Sequence, residues 1–141
     1  PPSNDPPTPE IHTQVNSSAA SDVYKRQIKS VAMREDTDLE AVAGDYPDAA
    51  GLLLDAWQPD THGGGGVAFD WQYIRGHVAA PLILAGGLSP DNVAEAIRQV
   101  APYAVDVSSG VESGRGIKSA QRITAFMKGV SSSESDSTNR R

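Results

Sequence analysis

PLILAGGLSPDNVAEAIRQVAPYAVDVSSG, residues Pro81 to Gly110, holds two short apolar runs, each closed by a turn of small residues, with an amphipathic stretch between them. PLILA is too short for a helix, and Gly86-Gly87 stop it by admitting backbone conformations that other residues resist. Ser89 reads as an N-cap and Pro90 as the first helical residue, while Val93, Ala96, Ile97 and Val100 recur at helical spacing on one stripe. YAVDV predicts a second strand that ends at Ser108-Ser109-Gly110. Strand, helix and strand in that order predict parallel pairing through a right-handed crossover. Both small-residue turns then lie at the carboxyl ends of adjacent strands, the edge where such folds hold ligands.

Working outward, IKSVAM (Ile28 to Met33) predicts a strand, and Thr37 with Glu40 forms a capping box opening a helix through Gly44. GLLLDAW (Gly51 to Trp57) is an almost wholly apolar run of the kind buried on both faces of a sheet, interrupted by the carboxylate of Asp55. Pro59 to Gly66 reads as a loop whose four successive glycines, Gly63 to Gly66, form a flexible lid, after which Asp70 caps a helix over Trp71 to Val78. Glu112 to Gly116 predicts a loop. Ile117, Ala120, Ile123 and Met127 place an apolar stripe on a last helix that Gly129 closes.

The expected architecture is α/β: four parallel strand–helix units over residues 28 to 130, half of an eight-unit barrel. A full barrel takes about 250 residues, and this chain has 141. Residues 1 to 27 are rich in Pro, Ser, Thr and Asn and are expected to be a disordered or non-native leader; residues 131 to 141 are expected to be a disordered polar tail. The first and last strands lack neighbours in this scheme, and open apolar edges invite pairing. The expectation is therefore a truncated protein, or one that pairs with a complementary half-barrel or with itself through its open edges.

Composition narrows the function. No apolar run approaches the roughly 20 residues that cross a bilayer, and the amino end lacks the basic-then-apolar order of a signal peptide. A cytoplasmic protein without a membrane partner is expected. The absence of cysteine removes disulfides, thiolate metal ligands and thiol catalysts. A net charge of −6 with scattered Lys and Arg argues against nucleic acid. His62 and His77 lack metal-ligand spacing and read as surface residues.

Gly86-Gly87 alone is equally an ordinary tight turn. Beside Ser109-Gly110 it becomes a candidate phosphate site, because two adjacent small-residue loops offer backbone N–H groups with little side chain in the way. Asp55, at the carboxyl end of a buried strand, is either a solvated strand-end residue or a general acid. Asp106 is either a substrate contact or a supporting polar residue. Trp57 and Trp71 read as packing residues more readily than as an aromatic wall.

LLLDAW, GGGGVAFDW, PLILAGGLSPDNV, YAVDVSSGVE and the region of Lys118, taken as an ordered set, resemble the carboxyl-terminal half of the phosphoribosylanthranilate isomerases of tryptophan biosynthesis. The resemblance implies an Amadori rearrangement of a phosphoribosyl amine, without cofactor or metal. It implies Asp55 as the acid that protonates the ribose ring oxygen, and the loops at Gly86-Gly87 and Ser109-Gly110 as the phosphate site. The family's general base is a cysteine in a Lys-Ile-Cys-Gly motif, which this chain does not contain. Val67 stands where many relatives carry Lys, and Ser119 where they carry Asp. A non-catalytic phosphate-binding module and another phosphosugar barrel enzyme are the competing readings.

Overall fold

A computed structural model describes residues 26–56 and 67–138. In chain order the elements are β1 (Ile28–Met33), α1 (Leu39–Asp45), β2 (Gly51–Ala56), a 3-10 turn (Trp71–Tyr73), β3 (Leu82–Leu84), α2 (Val93–Val100), β4 (Ala104–Val105), a second 3-10 turn (Ser109–Val111), a hairpin of β5 (Glu112–Gly114) and β6 (Ile117–Lys118), and α3 (Ala120–Thr138). Strands β1 to β4 form one sheet in sequential order, all neighbours parallel. That is the strand–helix arrangement expected of part of an eight-unit barrel.

The register explains the core. Val31 pairs with Leu54, which pairs in turn with Leu84, so these side chains share a face with Met33 and Leu52. Leu52, Leu54 and Leu84 are wholly buried on that face, in one core with Leu39 of α1, Val93 and Ala96 of α2 and Phe126 of α3. Burial of each such leucine is worth about 1.5–3 kcal/mol, so this layer carries the fold. Alternation turns Ser30, Leu53, Asp55 and Ile83 to the opposite face, away from the helices.

Several local expectations give way to tertiary context. The cap of α1 is Asp38, whose carboxylate accepts the N–H of Ala41 (3.0 Å), while Thr37 Oγ1 accepts that of Arg34 (2.9 Å). Asp70 caps as expected, accepting from Gln72 N (2.9 Å), but only a single 3-10 turn follows. Extended Ile74 and left-handed Gly76 (φ +77°) end it well short of Val78. Ser89 accepts the first helical N–H, from Val93 (3.1 Å), through its carbonyl, so regular helix starts at Val93 rather than Pro90.

The expected loop Glu112 to Gly116 is half of an antiparallel hairpin, turned at Arg115 and left-handed Gly116. Ile117 therefore belongs to β6, and α3 is rotated from the expected stripe: Ile123 and Met127 are 43% and 54% exposed and Phe126 only 4%. Gly129 does not end α3. It lies against α2, where a Cβ would come within 2.6 Å of Val93 Cγ1, and the bare backbone is what lets the helices approach with Phe126 inward.

The helix continues through Thr138 instead of stopping near Val130, and Ser133, wholly buried, gives its hydroxyl proton to the Val130 carbonyl (2.6 Å). Residues 131 to 138 of the expected tail thus belong to α3. Of the leader expected over residues 1 to 27, only Arg26 and Gln27 are described, and the Gln27 carbonyl accepts the N–H of Ala50 (2.7 Å) at the start of the sheet. Trp57, His62 and the Gly63 to Gly66 lid lie outside the described residues.

Candidate active site

Asp55 is the penultimate residue of β2, paired with Ala32 of β1, and it follows Leu54, whose carbonyl accepts the N–H of Ala85 (2.8 Å) and so fixes β2 against the end of β3. It is half-buried, and its Oδ1 accepts the N–H of Ala56 (2.8 Å). Gly86 lies directly beside it. A Cβ at Gly86 would sit 2.6 Å from Asp55 Oδ1 and collide with the backbone nitrogen of Ala56, and the residue is left-handed, φ +76°. Two independent constraints, conformation and space, therefore require glycine at the position that touches the candidate acid.

The rest of the site is made the same way, by backbone meeting backbone. Gly87 (φ +66°) has its missing Cβ filled by the main chain of Val67 and Ala68, and that of Gly110 by the carbonyl of Leu88. The two turns that the sequence placed on adjacent strands are thus in contact, with Val67-Ala68 packed on the first. Asn92 braces that first turn: its Oδ1 accepts from Ser89 N (2.8 Å) and its Nδ2 donates to the Gly87 carbonyl (2.9 Å). Among the described residues, the N–H groups of Gly86, Gly87, Ser109 and Gly110 have no hydrogen-bond acceptor. Donors without partners in two touching loops can serve a bound oxyanion.

Asp106 is exposed just past the end of β4, and its N–H continues the sheet by donating to the Leu84 carbonyl (2.8 Å). His77 is exposed. Among the described residues no group of three or more His, Cys, Asp and Glu side chains is placed to hold a metal.

Three residues to which sequence reasoning gave no role support the second loop. Lys118 Nζ donates to the Ser108 carbonyl (2.9 Å), to Ser108 Oγ (3.2 Å) and to Glu112 Oε1 (2.7 Å). Arg122 donates from Nε (3.1 Å) and Nη2 (3.0 Å) to the Gly110 carbonyl. The Lys118 hydrogen bond, followed by that from Gly116 N, holds the Glu112 carboxyl below its ordinary value. Their signal in the sequence is faint, since these cations contact the loop from ten and twelve residues away.

Residues 10–129 match the family model described as N-(5'-phosphoribosyl)anthranilate (PRA) isomerase. The N-(5'-phosphoribosyl)anthranilate isomerase of Chromohalobacter salexigens is 55% identical over 104 residues, which are 74% of this chain and 49% of the relative. That of Nitrosococcus oceani is 52% identical over 105 residues, 74% of this chain and 51% of the relative. The chain spans about half the length of the curated relatives it matches. Among solved structures, phosphoribosyl anthranilate isomerase from Thermus thermophilus superposes with a TM-score of 0.62 at 32% identity, covering 78% of this chain and 52% of that one. A phosphoribosyl anthranilate isomerase in complex with reduced 1-(o-carboxyphenylamino)-1-deoxyribulose 5-phosphate gives 0.56 at 34% identity, covering 77% and 50%.

Proposed function

The chain belongs to the N-(5'-phosphoribosyl)anthranilate isomerase family, and on that premise we propose that it carries the proton-donating and phosphate-binding part of an Amadori isomerisation in tryptophan biosynthesis. In this reading the phosphate of N-(5'-phosphoribosyl)anthranilate is held by N–H groups of Gly86, Gly87, Ser109 and Gly110. Asp55, beside Gly86, gives a proton to the ribose ring oxygen. The bond from that oxygen to the anomeric carbon breaks as the nitrogen lone pair forms the C=N bond. A base then takes the proton from the neighbouring carbon, and the enolamine tautomerises to the aminodeoxyribulose phosphate. The family's base is a cysteine, and none of the 141 residues is one; Asp106 is left as a polar contact at the rim.

The observation that carries this reading is the contact between Asp55 Oδ1 and the space a Gly86 Cβ would fill, 2.6 Å. It sets the candidate acid against a candidate phosphate loop. Inorganic phosphate titrated into the isotope-labelled 141-residue chain is expected to shift the amide resonances of Gly86, Gly87, Ser109 and Gly110, with Asp55→Asn binding within about twofold of the parent, because the carboxylate serves ring opening. No shift at those amides, or loss of binding in Asp55→Asn, removes the assignment.

β1 and β4 are the edges of the described sheet. Strand pairing there, by a complementary half-barrel or by a second copy, is the partner this reading implies. For the second copy, sedimentation velocity over a concentration series is expected to show a dimer, and a monomer at every concentration excludes self-pairing.

A further inference from the structure

Resting on the phosphate reading above, we propose that Lys118 and Arg122 are positioning residues that aim the second loop's N–H groups at the phosphate without touching it. A trans peptide is planar, so its carbonyl and its N–H point in opposite directions. The Ser108 carbonyl and the Ser109 N–H belong to one such unit. Lys118 holds that carbonyl at 2.9 Å and the Ser108 hydroxyl at 3.2 Å, which fixes the plane and turns the Ser109 N–H away from the ammonium. Arg122 clamps the Gly110 carbonyl with two donors, at 3.1 and 3.0 Å, and the N–H of that unit, from Val111, turns back to the Ser108 carbonyl (3.4 Å), so the peptide that carries the Gly110 N–H is set between two held units.

A cation on a carbonyl oxygen also draws electron density through the peptide and makes its N–H a stronger donor. The carbonyl side of the loop is thereby occupied by protein cations, and the Ser109 and Gly110 N–H groups are left without a protein acceptor among the described residues. Glu112 completes the device. It pairs with Lys118 at 2.7 Å and receives the Gly116 N–H at 2.9 Å, tying the lysine to the hairpin turn so that the ammonium does not reach into the site as a second ligand.

The test is phosphate titration of the full 141-residue chain by amide NMR, comparing the parent with Lys118→Met and Arg122→Met. Each variant is expected to bind phosphate about tenfold more weakly, the effect of losing a charge-assisted hydrogen bond. At saturating phosphate the Ser109 and Gly110 amides are expected to shift less than in the parent, while Gly86 and Gly87 shift as before. That selectivity separates positioning from a general loss of structure, which would reduce all four together. If Lys118→Met does not fold, judged by the dispersion of the β1 to β3 amides, Arg122→Met carries the test. Unchanged affinity with full Ser109 and Gly110 shifts overturns the inference alone, as does a uniform loss at all four amides. A parent that shows no phosphate-dependent shift overturns the phosphate reading and this inference with it.

Discussion

Given N-(5'-phosphoribosyl)anthranilate, a polypeptide of this 141-residue sequence is expected to turn over at least about 10²-fold more slowly than a relative of full length, and as much as about 10⁴-fold. The reaction needs a proton given to the ring oxygen and a proton taken from carbon. In the proposed reading Asp55, beside the Gly86 turn, gives the first. For the second, the family uses a thiolate, and the chain has no cysteine. General acid and general base each contribute roughly 10²–10⁴-fold, so a chain with only the acid forfeits one factor even when the sugar phosphate is bound. Fluorescence-monitored turnover by the purified chain decides the matter. A rate within tenfold of a full-length relative's would mean that another group takes the carbon proton.

Gly86→Ala is expected to destabilise the fold by about 2–5 kcal/mol, combining left-handed backbone strain with overpacking. The residue has φ +76°, and the added methyl would meet Asp55 Oδ1 at 2.6 Å as well as the backbone nitrogen of Ala56. Neither strand backbone can withdraw cheaply, because Ala85 N is bonded to the Leu54 carbonyl at 2.8 Å on the same two strands. Gly44→Ala provides the contrast, since its Cβ would meet nothing within 4 Å and its position is helical. Urea denaturation of both variants measures the difference. A Gly86→Ala midpoint no lower than that of Gly44→Ala would show that the turn has room to relax and that the Asp55 contact is not fixed.

Much of the strand order was legible from short-range signals. A continuous apolar run such as LLLDA or PLILA has few conformations that bury it, and Gly86-Gly87 stop the second run whatever the rest of the chain does. Asp55 and the four loop residues could be placed on one edge of the sheet because parallel strands put every carboxyl end on the same side. The same reasoning failed where two local solutions were nearly equal in energy. Thr37 and Asp38 are both good caps and only packing of Leu39 selects between them; Ile123-Met127 and Phe126-Gly129 are both plausible inner faces of α3, and the close approach to Val93 selects the second.

The sequence alone determined the four strands of the sheet, their parallel order and the residue types at the candidate ligand edge, since each is set by burial and backbone freedom over a few neighbouring residues. Tertiary structure decided the rest. That Gly86 makes room for Asp55, that Gly110 meets the Leu88 carbonyl and that Lys118 and Arg122 hold the second loop are contacts between residues ten to more than thirty positions apart. No local pattern specifies them, because they arise only when packing of the helices on the sheet brings those segments together and repays the entropy of joining them.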